Sequence, residues 1–152
     1  IFIEAIELLP KSLKDNIFLV FFGATDSLRE SQLSIPLINY KFIKSRGQLR
    51  DIIRVSDICV YPSKVESFGQ LAAESIACGT PVIAYKHSGV SDFIINKSNG
   101  FLFKKYSASC LMDSIYEAYY YFNNSGVDYG KTISSLSFTS VGQKYDKLIK
   151  SI

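Results

Sequence analysis

The sequence predicts an α/β protein: one parallel sheet with helices packed on both faces, three layers in all. Three observations predict it. The stretches 16–24, 58–61 and 82–85 are short apolar runs, as strands covered on both faces require. The second and third runs enclose a polar loop and a small-residue helix from Gly69 to Cys78, ended by Gly79, Thr80 and Pro81. Such a strand–loop–helix–strand unit joins parallel strands by a right-handed crossover. Amphipathic segments alternate with apolar runs along the rest of the chain, which is the pattern of a layered α/β domain.

Taken in order, residues 1–10 place Phe2, Ile3, Ala5, Ile6, Leu8 and Leu9 on a helical face that is under way without an N-cap, and no initiator methionine precedes it. We read the chain as cut within, or at the start of, a helix whose preceding strand is missing. The first strand follows, with Gly23 at its carboxyl end, where a backbone without Cβ can approach a ligand. Asp26 is placed to cap a short helix over 27–33. Residues 36–43 alternate imperfectly and read as a strand. Leu49, Ile52, Ile53 and Val55 recur at helical spacing within 45–56. After the 82–85 strand, a loop from His87 to Asp92 opens a short helix, and Asn99-Gly100 is a turn signal before a strand at 101–103. Leu111, Met112, Ile115, Ala118, Tyr119 and Phe122 form the apolar face of a helix over 107–122, which Asn123-Asn124-Ser125-Gly126 is expected to break. A last helix is expected over 139–151.

Composition narrows the function classes. With 152 residues, 47% hydrophobic and 20% charged, the chain reads as one ordinary globular domain with a substantial core. No apolar run approaches the roughly 20 residues of a membrane span. A net charge of +3 from scattered lysines does not make a nucleic-acid surface, so no nucleic-acid partner is expected. Lys144, Lys147 and Lys150 leave open a peripheral contact with anionic membrane. Cys59, Cys78 and Cys110 are far apart and odd in number, and His87 is the single histidine. No metal-ligand spacing exists, so no metal or cofactor is expected, and three reduced, buried thiols point to a cytoplasmic protein.

The chemistry concentrates in Tyr61 to Ala84, YPSKVESFGQLAAESIACGTPVIA. Glu66 lies in the loop before a helix and Glu74 inside it, with seven residues between them. In an open parallel sheet ligands bind beyond the carboxyl ends of the strands, and the Glu66 loop lies there. Gly69 and Gln70 stand at the predicted helix N-terminus, where free N–H groups and the dipole favour an anion. Glu74, among Ala72, Ala73 and Ala77, is a carboxylate in an apolar setting and needs partners.

This pattern, with both glutamates between Pro62-Ser63 and Ala77-Cys78-Gly79-Thr80-Pro81, resembles the donor-binding half of the group 1 glycosyltransferases, the retaining family of the GT-B fold. The resemblance implies a Rossmann-like domain, the C-terminal half of such an enzyme. Its sheet order would be 3-2-1-4-5-6, with five of the six strands placed here and the central first strand lying before Ile1. The sheet is therefore expected to open between the 17–22 and 58–61 strands. By the same resemblance Glu66 is catalytic, orienting the donor sugar and stabilising charge at its anomeric carbon, and Glu74 takes the ribose hydroxyls. The base falls to the loop from Lys41 to Lys44, with Ile43 and Lys44 at its end. Gly23, Ser67, Phe68, Gly69 and Gln70 complete the implied donor site.

The partners implied are a nucleotide diphosphate sugar and, through a missing N-terminal domain, a glycan or lipid-linked acceptor at the inner face of the membrane. The parent enzyme would move a hexosyl unit without a metal, and the isolated fragment should be inactive. Ser67, Gln70-Leu71, His87-Ser88 and Asp92 depart from the usual family residues. The basic pair that neutralises the diphosphate in the family is not in this sequence. A non-catalytic scaffold subunit and a nucleotide-sugar epimerase of the same fold are the alternatives.

Overall fold

The computed structural model describes residues 1–23 and 33–125. The expected helix after Asp26, apart from its last residue, and the helix over 139–151 lie outside the described residues, as do Lys144, Lys147 and Lys150. Helix α1 (Phe2–Leu8) and the short α2 (Lys11–Lys14) lead into β1 (Leu19–Phe21). Strand β2 (Leu37–Asn39), α3 (Arg46–Val55), β3 (Cys59–Tyr61), α4 (Gln70–Ala77), β4 (Val82–Tyr85), β5 (Gly100–Phe103) and α5 (Ala108–Ser125) follow. A single 3-10 turn, Gly89–Asp92, stands where the short helix was expected.

All pairings are parallel. β1 pairs with β2, Leu19 opposite Leu37, and β3 pairs with β4, Cys59 opposite Val82. β4 pairs with β5, Val82 opposite Gly100. The alternation of β4 places its side chains in two cores, one on each face. Ile83 joins Ala5 and Ile6 of α1 and Leu111, Ile115 and Ala118 of α5. Val82 and Ala84 join Ala72 and Ile76 of α4 with Val90 and Phe93. These are the three layers the sequence predicts.

The strands form two sheets, β1-β2 and β3-β4-β5, and no ladder bond joins β1 to β3 among the described residues. The opening expected between these strands is present. A cleft of about 1030 Å³ fills it, lined by Ile17, Leu19, Phe21, Ile58, Val60 and neighbouring residues. Side chains bridge what the backbone does not: Leu19 and Val60 both pack against the core beneath α1 and α5. A polar clamp holds α1 to the chain entering β2. The Glu7 carboxylate accepts from the Ser34 amide at 2.8 Å and pairs with Lys14 at 2.9 Å. The Ser34 bond first, then Lys14, holds the Glu7 pKa below the usual carboxylate value.

Several boundaries differ from those read in the sequence. β2 ends at Asn39, short of the expected Ile43, because Lys41 turns into the left-handed region at φ 52 and its amide donates to the Asn39 side chain. α5 runs on to Ser125 through the residues expected to break it. There the Asn124 side-chain Nδ2 donates to the Tyr120 carbonyl within the helix instead of opening a turn. The three cysteines are free, as expected, but half-buried rather than buried.

Candidate functional site

Strand β3 delivers Tyr61 to the carboxyl edge of its sheet, and Pro62 turns the chain into the loop that carries Glu66. Backbone contacts hold this loop from outside. The Gly89 amide donates to the Glu66 carbonyl at 2.8 Å, and the Tyr106 hydroxyl donates to the Pro62 carbonyl at 2.9 Å. Gly89 approaches so closely that a Cβ there would collide with the Ser67 carbonyl. The loop then closes on Gly69, which caps α4 at φ 77 and ψ 61, a conformation that suits glycine. Gly69 is wanted for its conformation and for its closeness to Val90, whose methyl a Cβ would strike.

The Glu66 carboxylate is held on both oxygens. Tyr61 donates its hydroxyl to Oε2 at 2.7 Å. Oε1 accepts from the Ser67 amide at 3.0 Å and the Phe68 amide at 3.4 Å. The Tyr61 hydroxyl first, then the Phe68 amide, lowers the Glu66 pKa and keeps the group ionised. Burial, reinforced by the adjoining carboxylate, pushes the Tyr61 phenol up to about 12, so it stays a donor at neutral pH.

Glu74 stands on the first turns of α4, half-buried, where its Oε1 accepts from the Gln70 side chain at 3.1 Å. No lysine or arginine pairs with it among the described residues. Phe68 is 51% exposed and its ring tilts against Phe93 at 5.5 Å, leaving an open aromatic face beside the loop.

The candidate residues fall into two groups, one on each sheet. Glu66, Ser67, Phe68, Gly69, Gln70 and Glu74 are brought together by β3 and α4. Gly23 follows β1 and meets the loop after β2, its amide donating to the Lys41 carbonyl at 2.7 Å. Ile43 and Lys44 complete that loop, Ile43 half-buried and Lys44 exposed. No hydrogen bond joins the two groups among the described residues, and the cleft runs between their sheets.

Sequence reasoning assigned no role to Tyr61 or Gly89. Tyr61 carries a readable signal only in hindsight of geometry: an aromatic hydroxyl at the last strand position, five residues before the loop glutamate. Tyr85 and His87 stack edge to face at 5.4 Å, and among the described residues no hydrogen bond joins the His87 side chain to Glu66.

The family model of the group 1 glycosyl transferases matches residues 1–119. The chain belongs to that family. Among curated group 1 relatives and similar proteins, the glycogen synthase of Thermodesulfovibrio yellowstonii is 31% identical over 125 residues, 78% of this chain and 25% of that protein. A D-inositol 3-phosphate glycosyltransferase of Xylanimonas cellulosilytica is 44% identical over 57 residues, 38% of this chain and 14% of that one. Among solved structures, Anabaena HepE in complex with UDP superposes with a TM-score of 0.69 at 19% identity, over 99% of this chain and 44% of HepE. At that identity the likeness shows the fold: a Rossmann-like α/β domain of the GT-B type. The group 1 chain thus spans less than half the length of each of these proteins.

Proposed function

We propose that this chain is the donor-binding domain of a retaining hexosyltransferase, which moves a hexosyl unit from a nucleotide diphosphate sugar to a glycan or lipid-linked acceptor. One observation carries the reading: an ionised carboxylate, Glu66, fixed by three donors directly before the N-terminus of α4. On this reading the diphosphate lies at the Gly69–Gln70 end of α4, where the N–H groups of the first turn and the dipole attract it. Glu66 accepts a hydroxyl of the donor sugar. Its charge stabilises the positive charge that develops at the anomeric carbon as the bond to the diphosphate oxygen breaks. Glu74 takes the ribose hydroxyls in place of Gln70, and the loop ending in Ile43 and Lys44, with Gly23, receives the base.

That HepE has been solved with UDP and with UDP-glucose supports a nucleotide-sugar donor. The apolar cleft between β1 and β3 supports the further reading that a longer polypeptide supplies another strand there; we propose that the basic pair and the acceptor domain come from the same longer chain. We propose that the reaction uses no metal and takes place in the cytoplasm, at the inner face of the membrane. The test is Glu66→Gln in the intact protein, assayed in the presence of EDTA. Transfer should continue in EDTA for the unaltered enzyme and fall by at least about a hundredfold for the variant. Nucleotide affinity should be unchanged. Full transfer by Glu66→Gln would overturn the reading.

A further inference from the structure

We propose that Tyr61 is the positioning residue of this site: its hydroxyl fixes Glu66 to the sheet and leaves one lone pair of Oε2 for a donor-sugar hydroxyl. The inference rests on the catalytic reading of Glu66 and adds how that carboxylate is held. An ionised carboxylate offers about four acceptor sites. Two on Oε1 are taken by the amides of Ser67 and Phe68, and the Ser67 hydroxyl is a longer neighbour at 3.5 Å. One on Oε2 is taken by Tyr61 at 2.7 Å. The Gly69 amide also bears on the carboxylate, and among the described residues Oε2, with Tyr61 as its donor within hydrogen-bond distance, is the oxygen more open to substrate.

The donors differ in what they are attached to. Ser67 and Phe68 belong to the Glu66 loop and move with it, so their amides orient the carboxylate only within the loop. Tyr61 belongs to β3, opposite Ala84 of the buried β4, and its ring packs on the core beneath α4. Gly89 and Tyr106 hold the loop by its backbone, and Tyr61 is the bond that refers the carboxylate group itself directly to the sheet. A catalytic group displaced by about 1 Å loses about a hundredfold in rate, so such a reference matters. The same bond sets the charge of the group, since a donor to a carboxylate favours its ionised form.

Tyr61→Phe removes the hydroxyl and keeps the ring, so the core contact survives. In the intact protein, kcat for transfer should fall between about tenfold and a hundredfold, with the donor KM within about twofold of its original value. Glu66 without its first donor should protonate at higher pH, so the acidic limb of the kcat–pH profile should move to higher pH. A merely structural tyrosine would not move that limb. Unchanged kcat with an unchanged limb overturns the proposal, and so does a loss of kcat and KM together with the limb in place. Glu66→Gln run beside it separates the two claims. If that variant is fully active, the catalytic reading itself fails. If it is inactive while Tyr61→Phe behaves as the unaltered enzyme, only the role of Tyr61 fails.

Discussion

Thr80 shows how much a single side chain fixes in this fold. It is 1% exposed, and its hydroxyl donates to the Ile53 carbonyl at 2.6 Å, tying the last turn of α3 to the entry of β4. The carbonyls of a helix's last turn lack the usual i+4 donor; that of Ile53 accepts from the Ser56 amide at 3.1 Å, and Thr80 is its second donor, reaching it from another element. Thr80→Val keeps the shape and removes one of the two donors, so it should destabilise the domain by about 0.5–1.5 kcal/mol. Chemical denaturation of the two proteins measures it, and equal midpoints would show that the Ser56 amide alone suffices for Ile53. Asn99, also fully buried, works in the same way: its side chain accepts from the Ile95 amide at 2.8 Å and donates to the Phe93 carbonyl at 3.1 Å. The Asn99-Gly100 pair was readable as a turn, but the two bonds that make it a rigid one were not.

At the scale of elements, what could be read depended on whether a local pattern decided the outcome. β3, α4 and β4 stand within a residue or two of their predicted limits, since an apolar run, a proline and a glycine stop mark each end. Ser45 caps α3 through the Gln48 amide, as a serine before a periodic segment should. The far end of α5 was not legible, because two asparagines in a row suit a turn as well as a helix until their partners are known. That one strand, loop and helix carry Glu66, Gly69 and Glu74 together was legible in the motif around them. The bond from Tyr61 to Glu66 was not, since it depends on where a loop carries a side chain back across its own strand. Nor was the grip of Gly89, a contact between segments more than twenty residues apart. Gly89→Ala should therefore act on two properties at once. Its methyl must push the Ser67 carbonyl away, which costs about 1–3 kcal/mol by overpacking and displaces Glu66. A lowered melting temperature with a transfer rate down by about tenfold or more is expected. Retention of both values would show that the 3-10 turn yields instead.

At the scale of the whole fold, the two sheets are joined by α1, by the apolar layer that Leu19 and Val60 share, and by the Glu7 clamp, but, among the described residues, by no ladder bonds. Among the described residues, strand β4 has a hydrogen-bonded neighbour on each side, whereas β1 has one. Native-state hydrogen exchange should reflect this. Amides of β4 and β5 should open only with the largest unfolding free energy, and those of β1 and β2 well below it. Uniform protection across all five strands would contradict the division. If the division holds, the chain has no single stability to quote. Its first loss of structure on heating or in urea is the separation of a two-stranded unit from a folded remainder. A melting curve fitted as one cooperative step would average two events that respond to different residues.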